Sequence, residues 1–238
     1  MKQLIITDDN PRDRSFLADV LSDYSPIMTV NAEEALAACH GLPEPWLVTD
    51  IQMPGDNGLA LARKCWAENP SARILFWSQH SDELYVRELS KFIPAETVYG
   101  YVLKNNPADT ILRAARAVFD DCQCWIDPSV RKVQARQQRS SDTLSDAQYD
   151  VLIDIALGLT DKTIAERRYL SRRGVQNRLQ SLYTKLGANI DNHDTASESE
   201  LLNVRTRAIS IALQRGLLNA FELNQEESYL AEWLKTLK

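Results

Sequence analysis

The sequence of 238 residues predicts two domains of different class: an α/β domain with a doubly wound, five-stranded parallel sheet, then an all-α domain. Three observations predict this. Four short apolar runs each end on a polar residue: Leu4-Ile5-Ile6-Thr7 before Asp8-Asp9, Trp46-Leu47-Val48-Thr49 before Asp50, Ile74-Leu75-Phe76-Trp77 before Ser78, and Tyr99-Gly100-Tyr101-Val102-Leu103 before Lys104. Runs of this kind read as parallel strands buried on both faces. Segments with apolar residues at helical spacing alternate with them, which is the pattern of a βα repeat. From residue 143 the strand pattern stops and only helical spacing remains.

Taken in order, Arg12 to Ser22 places Phe16, Leu17, Val20 and Leu21 on one helical face. Ile27-Met28-Thr29-Val30 supplies the second strand, and Ala32 to Cys39 and Leu59 to Ala67 repeat the helical spacing. Ala108 to Phe119 turns Ile111, Leu112, Ala115, Val118 and Phe119 inward. Residues 1–120 thus form the first domain. Residues 121–142 read as an Arg- and Gln-rich linker with a short apolar anchor at Trp125-Ile126. Residues 143–220 form the helical domain, with an acidic inserted loop near 188–203 and a returning helix that contains Ile209, Ile211, Ala212 and Leu213. In the extension 221–238, Tyr229, Leu230, Trp233, Leu234 and Leu237 share one face and predict a packed helix.

Composition narrows the function. No run approaches the roughly 18 apolar residues of a membrane helix, and Asp8 and Asp9 are foreign to a signal peptide. A cytoplasmic protein with no membrane partner is expected. Cys39, Cys65, Cys122 and Cys124 give no disulfide framework, and the single C-x-C lacks a second pair for a metal site. The net charge is −6, yet the basic excess lies in the middle of the chain, and its placement matters more than the total.

In open α/β sheets chemistry gathers beyond the carboxyl ends of the strands. Asp8, Asp9 and Asp50, the Ser78 hydroxyl and the Lys104 ammonium group would converge there. Mg²⁺ prefers oxygen ligands. Asp9 and Asp50 would hold it with Asp8 close by and the Gln52 backbone carbonyl as a further ligand, and it would offset the charge of an incoming phosphate. Lys104 would pair with a phosphoryl oxygen, and Ser78 would donate to another. Singly, each residue has a plainer reading: Asp8 or Asp9 or Ser78 as a helix N-cap, Asp50 as a turn residue, Lys104 as a solvated strand end.

Asp8-Asp9-Asn10, Asp50-Ile51-Gln52-Met53-Pro54-Gly55-Asp56-Asn57-Gly58, Ser78 and Gly100-Tyr101-Val102-Leu103-Lys104 resemble the receiver domain of bacterial response regulators, which has a flavodoxin-like fold. The resemblance covers about the first 120 residues. It implies that Asp50 is the phosphorylated residue, Asp9 the main metal ligand, and Ser78 and Tyr101 the hydroxyl and aromatic switch positions. Ser78 would move onto the phosphoryl group while Tyr101 turns inward. Three departures stand out. Gln79 replaces a small residue. Gln52 and His80 occupy positions that tune phosphoryl lifetime in the family. Val86 to Gly100 is about four residues longer than usual and contains Phe92-Ile93-Pro94.

In the second domain, Asp146 to Leu157 buries Val151, Leu152, Ile155 and Ala156 and ends at Gly158. Thr160 opens a short helix. Ser171 caps another that runs to about Leu186 and closes at Gly187. That helix buries Val175, Leu179, Leu182 and Leu186. It displays Arg172, Arg173, Gln176, Asn177, Arg178, Gln180 and Lys185, groups suited to phosphates and base edges in the major groove. An ordinary solvated face fits the same pattern equally well. Leu144-Ser145, Val151-Leu152, Ala156 to Thr160, Lys162-Thr163-Ile164-Ala165, Leu170-Ser171, Val175 to Arg178 and Lys185-Leu186-Gly187 resemble the LuxR/NarL-type helix-turn-helix. The resemblance implies that Gln176, Asn177 and Gln180 face bases, that Lys162, Thr163 and Lys185 lie nearer the DNA backbone, and that residues 204–219 dimerise. Gly174, Gln176, Arg178 and Gln148 depart from the family's usual Thr, Lys, His and Glu.

The expected function is a phosphorylation-controlled transcriptional regulator of a two-component system. It takes a phosphoryl group on Asp50 from a sensor histidine kinase with Mg²⁺ as cofactor, and binds double-stranded DNA as a homodimer when phosphorylated. No small-molecule turnover is implied. The alternative is a phosphorylation-gated protein-interaction switch with weakened DNA binding.

Overall fold

The computed structural model describes residues 3–79, 81–137, 143–189 and 202–237. His80, residues 138–142 of the expected linker and residues 190–201 of the acidic loop lie outside them. The chain forms two compact units, the first of residues up to Ser81 and Tyr85–Gln134, the second of Asp82–Leu84 and the residues from Ala135 onward.

The first unit is a βα repeat. Its strands are β1 (Leu4–Thr7), β2 (Ile27–Thr29), β3 (Trp46–Thr49), β4 (Arg73–Ser78) and β5 (Tyr99–Leu103), all parallel. Between them run α1 (Pro11–Val20), α2 (Ala32–Cys39), α3 (Gly58–Glu68) and α4 (Glu83–Ser90), with α5 (Ala108–Phe119) after β5. Asparagine side chains start three of the helices: Asn10, Asn31 and Asn57 each accept a backbone N–H of the first turn. Asn10, not Asp8 or Asp9, therefore caps α1, and both carboxylates are left for other work.

The sheet has six strands rather than five, in the order β2-β1-β3-β4-β5-β6. The sixth, β6 (Trp125–Ile126), pairs parallel to β5 with Gly100 opposite Trp125 and Tyr101 opposite Ile126. The segment expected to be a linker is thus a strand followed by a helix, α6 (Pro128–Gln137). Asp127 fastens the junction: its N–H donates to the Tyr101 carbonyl at 2.9 Å, and its carboxylate accepts from Asn106 Nδ2 and Ser129 N. Gly100 makes the pairing possible. A Cβ there would lie 3.3 Å from the Trp125 carbonyl oxygen, 2.6 Å from Leu75 Cδ1 and 2.8 Å from Val118 Cγ2.

Burial explains why the strands read as unbroken apolar runs. Leu4, Ile6, Val48, Leu75, Trp77 and Val102 pack against Leu17 of α1, Leu21 just after it, and Ile111, Val118 and Phe119 of α5. Ile5, Leu47, Ile74 and Phe76 are equally buried, and by strand alternation they face the other helical layer. Phe16, expected inside, is half on the surface and stacks on Trp77 with ring centroids 6.0 Å apart. The long stretch after α4 folds back over α3, with the Phe92 ring 6.0 Å from Trp66 and beneath the Arg63 guanidinium.

The second unit contains α7 (Asp146–Ala156), α8 (Asp161–Arg167), α9 (Arg172–Leu186), α10 (Val204–Gln214) and α11 (Ala220–Thr236). Ser145 and Gln148 form a reciprocal capping box at the start of α7. Gly187, with φ +68°, ends α9 in the left-handed conformation that favours glycine. Val151, Leu152, Ile164, Val175, Leu182, Ala208 and Ala212 make one core. The extension is helical as expected, but of its apolar stripe only Leu230 is buried, while Tyr229, Leu234 and Leu237 remain exposed.

Gly100→Ala is expected to destabilise the protein by about 1–3 kcal/mol through overpacking, read as a lowered urea midpoint. An unchanged midpoint would show that the β5–β6 contact tolerates a side chain.

Candidate functional site

Parallel strands deliver their last residues to one end of the sheet. β1 delivers Asp8, which is fully buried, and the exposed Asp9; β3 delivers Asp50, β4 ends on buried Ser78, and β5 is followed by Lys104. The ladder continues into the site: Asp50 N donates to the Thr7 carbonyl at 3.0 Å, and Lys104 N to the Ser78 carbonyl at 2.8 Å. Gly58 lies against the Asp50 backbone so closely that a Cβ would come 2.0 Å from its carbonyl oxygen.

Lys104 occupies the centre. Its ammonium group donates to Asp8 Oδ2 at 2.7 Å, Asp13 Oδ2 at 2.8 Å and Asp50 Oδ2 at 2.9 Å. It is not a solvated strand end, since its side chain is only 9% exposed. Its nitrogen also lies 4.8 Å from the centroid of the Trp77 ring. The second oxygens of the aspartates are held as well. Asp8 Oδ1 accepts from Asn10 N at 2.8 Å and Asp50 Oδ1 from Gln52 N at 3.3 Å.

Burial pushes the Asp8 carboxyl up to about 6 against the opposing pull of Lys104. Burial raises Asp50 likewise. Burial pulls the Lys104 ammonium down, but Asp50, Asp13 and Asp8 together outweigh it and hold the group above its ordinary value. One carboxylate oxygen from each of Asp8, Asp9 and Asp50 lies within 4.8 Å of the others, an all-oxygen set that suits a hard divalent cation. The Gln52 side chain turns elsewhere and donates to the buried Tyr85 hydroxyl at 2.7 Å. Tyr101 is already inside, 1% exposed, with its ring 6.1 Å from Phe76. The inward position expected to follow phosphorylation is therefore occupied in this structure.

Asp13, Tyr85 and Trp77 were not among the expected site residues. Asp13 stands one helical turn beyond Asp9, a spacing that puts both above the same strand end. No local signal marks Tyr85 or Trp77, whose roles come from packing.

In the second unit Arg172, Arg173, Gln176, Asn177 and Gln180 are exposed along α9, and Arg178 is half-buried. Ser171 Oγ accepts the Gly174 N–H at 3.0 Å, so the glycine does not break the cap. Lys162 is exposed on α8, and the half-buried Thr163 shares a hydroxyl contact of 2.9 Å with Thr160. Lys185 is committed within the domain: its ammonium donates to the Thr143 carbonyl at 2.6 Å and to Gln148 Oε1 at 3.1 Å. Arg167 and Arg168 are engaged inside as well, on the fully buried Asp154 at 2.6 and 2.8 Å. Glu226 of α11 reaches Arg167 at 3.3 Å.

In metal-free protein, the folded state keeps the Asp8 proton up to pH about 6, whereas the unfolded chain releases it near its ordinary value of 3.8. Between those values the folded state binds more protons, so this group makes stability fall as pH rises from about 4 to about 6. Urea midpoints in chelator should show that decline, and Asp8→Asn should flatten it. A slope unchanged in the variant would refute the assignment.

Residues 4–116 match the model of the response regulator receiver domain. The transcriptional regulatory protein YdfI of Bacillus subtilis is 26% identical over 229 residues, which cover 92% of this chain and 98% of that protein. LnrK, a transcriptional regulatory protein of the same organism, is 26% identical over 204 residues, or 78% of this chain and 91% of that one. Among solved structures, RcsB of Salmonella enterica serovar Typhimurium bound to the promoter P1flhDC with a phosphomimetic shares the fold, with a TM-score of 0.59 and 19% identity over 88% of this chain and 97% of that chain. Residues 4–116 thus belong to the receiver-domain family, and across both units the chain is similar to bacterial transcriptional regulatory proteins.

Proposed function

We propose that this protein is a response regulator, a phosphorylation-controlled transcriptional regulator of a two-component system, with Asp50 as phosphoryl acceptor and α8 and α9 as the DNA-reading elements. The Asp50 carboxylate carries this reading. It stands at a strand end with Oδ2 2.9 Å from an ammonium group, and it shares a cluster of oxygens with Asp8 and Asp9.

Those oxygens fit Mg²⁺, with the Gln52 carbonyl as a further candidate ligand. Bound there, the ion would offset carboxylate charge facing an incoming phosphate. An Asp50 oxygen attacks phosphorus, and the bond from phosphorus to the donor's leaving atom breaks with its electron pair departing on the donor. Lys104 is placed to take a phosphoryl oxygen, and Ser78 lies beside it on the neighbouring strand end. Tyr101 shares β5 with the approach to Lys104 and completes the proposed switch set. A sensor histidine kinase is the proposed donor, since receiver-domain regulators take their signals from kinases. The bacterial relatives named as transcriptional regulatory proteins support the DNA-directed output. A DNA-directed output goes with a cytoplasmic location, which we propose, and we assign the receiver to residues 1–120 and the DNA-binding domain to 143–220.

On α9, Arg172 and Arg173 supply phosphate contacts, while Gln176, Asn177 and Gln180 are placed for base edges. Lys162, Thr163 and Arg178 flank them. Lys185, held by Thr143 and Gln148, serves the domain's own packing first.

Full-length protein incubated with acetyl phosphate and Mg²⁺ should gain one phosphoryl group by intact mass, and Asp50→Asn should gain none. With a genomic fragment pool, the phosphorylated form should enrich a paired motif that Asp50→Asn fails to enrich. Enrichment indifferent to the donor would mean a decoupled receiver, and no enrichment in either state would favour a protein-interaction switch. Arg172→Ala and Arg173→Ala should each weaken binding across all sequences and reduce the salt slope by about 1. An unaltered slope would remove that residue from the interface.

A further inference from the structure

Lys104 has three N–H bonds and three carboxylate acceptors, so its ammonium group is saturated. Two acceptors, Asp8 and Asp50, belong to the oxygen cluster suited to a cation. The third, Asp13, stands outside it, in the first turn of α1. An acidic residue in a first turn is favourable through the helix dipole alone. That role needs no partner, yet the Asp13 oxygen lies 2.8 Å from Lys104, and its side chain is only 28% exposed. Its carboxylate and that of Asp50 touch the same nitrogen.

We propose that Asp13 is a positioning residue of the acceptor site, which holds Lys104 on the α1 side and thereby tightens divalent-cation binding while slowing phosphoryl uptake. This rests on the acceptor reading above. With Asp13 the site holds four carboxylates, three of them on the one ammonium group and the fourth, Asp9, in the oxygen cluster. The excess negative charge attracts a cation and repels the anionic donor and the phosphoryl oxygens. When a cation engages Asp8 and Asp50, Asp13 is the acceptor that still competes for Lys104 as a phosphoryl oxygen arrives.

The test follows phosphoryl uptake from acetyl phosphate. An Asp50 carboxylate oxygen bonds to phosphorus, the phosphorus–oxygen bond to the acetyl group breaks, and acetate leaves with the electron pair; no proton is transferred. The full chain is compared as wild type, Asp13→Asn and Asp13→Glu, with Mg²⁺ affinity measured by calorimetry and uptake at saturating Mg²⁺ by intact mass. Asp13→Asn is expected to weaken Mg²⁺ binding and to speed uptake, each by roughly 3- to 10-fold, the scale for one charge a few ångströms away in a partly solvated site. Asp13→Glu, which returns the carboxylate, should move both back towards wild type. A merely structural role would impair both quantities together instead of moving them apart. Uptake in Asp13→Asn equal to or slower than wild type, with Asp50 still modified, would overturn the proposal, as would unchanged Mg²⁺ affinity. Failure of every form to take up the group, with Mg²⁺ binding still differing between them, would overturn the acceptor reading and the uptake half of this proposal with it.

Discussion

Three carboxylates meet at one ammonium group where β1, β3 and β5 deliver their last residues. A lysine as enclosed as Lys104 would ordinarily favour its neutral form, and carboxylates as enclosed as Asp8 and Asp50 would favour protonation. Each tolerates burial because the others are there. The geometry in turn depends on the strand register. Shifting any one of these strands by a residue would turn its polar end group to the opposite face. The apolar runs, the asparagine caps that leave Asp8 and Asp9 uncommitted, and the glycine pressed against the Asp50 backbone all keep these charges within reach of one another.

The second unit repeats this logic with the signs reversed. Asp154 is wholly buried in α7, and two arginines from the end of α8 and the turn beyond it close on it. Removing one partner from such a cluster leaves a buried charge unpaired and typically costs about 3–5 kcal/mol. The cluster therefore ties α8 to α7, and Glu226 ties the C-terminal helix to Arg167. Arg167 and Arg168 are spent on this task. On α8 and α9 the basic side chains left exposed are those of Lys162, Arg172 and Arg173.

The convergence of Asp8, Asp9, Asp50, Ser78 and Lys104 could be read from residue order because parallel topology alone brings strand ends together. The α9 pattern was equally plain, since its apolar positions recur at helical spacing and Ser171 and Gly187 mark its ends. What escaped depends on contacts distant in sequence. Two residues at Trp125-Ile126 are too few to announce a strand, and their pairing depends on the missing side chain of Gly100. Asp13 looks like any first-turn acid until Lys104 is brought to it. Lys185 sits on the polar side of α9, but the Thr143 carbonyl and Gln148 draw it inward. The stripe in the C-terminal helix predicted burial, yet Leu230 is buried and Trp233 half-buried while Tyr229, Leu234 and Leu237 stay exposed.

β6 also changes the exposure of the sheet's rim. A strand edge with free N–H and C=O groups is a template on which other chains can add, and proteins guard such edges with short strands or covering segments. Here the β5 side is covered by a two-residue strand too short to recruit a long partner. The opposite rim is β2, three residues long, with Ile27 and Met28 turned to solvent. Sheet-to-sheet growth between molecules would have to begin at β2, which makes that strand the aggregation-sensitive side of the first domain and the place where a surface charge would do most for its solubility.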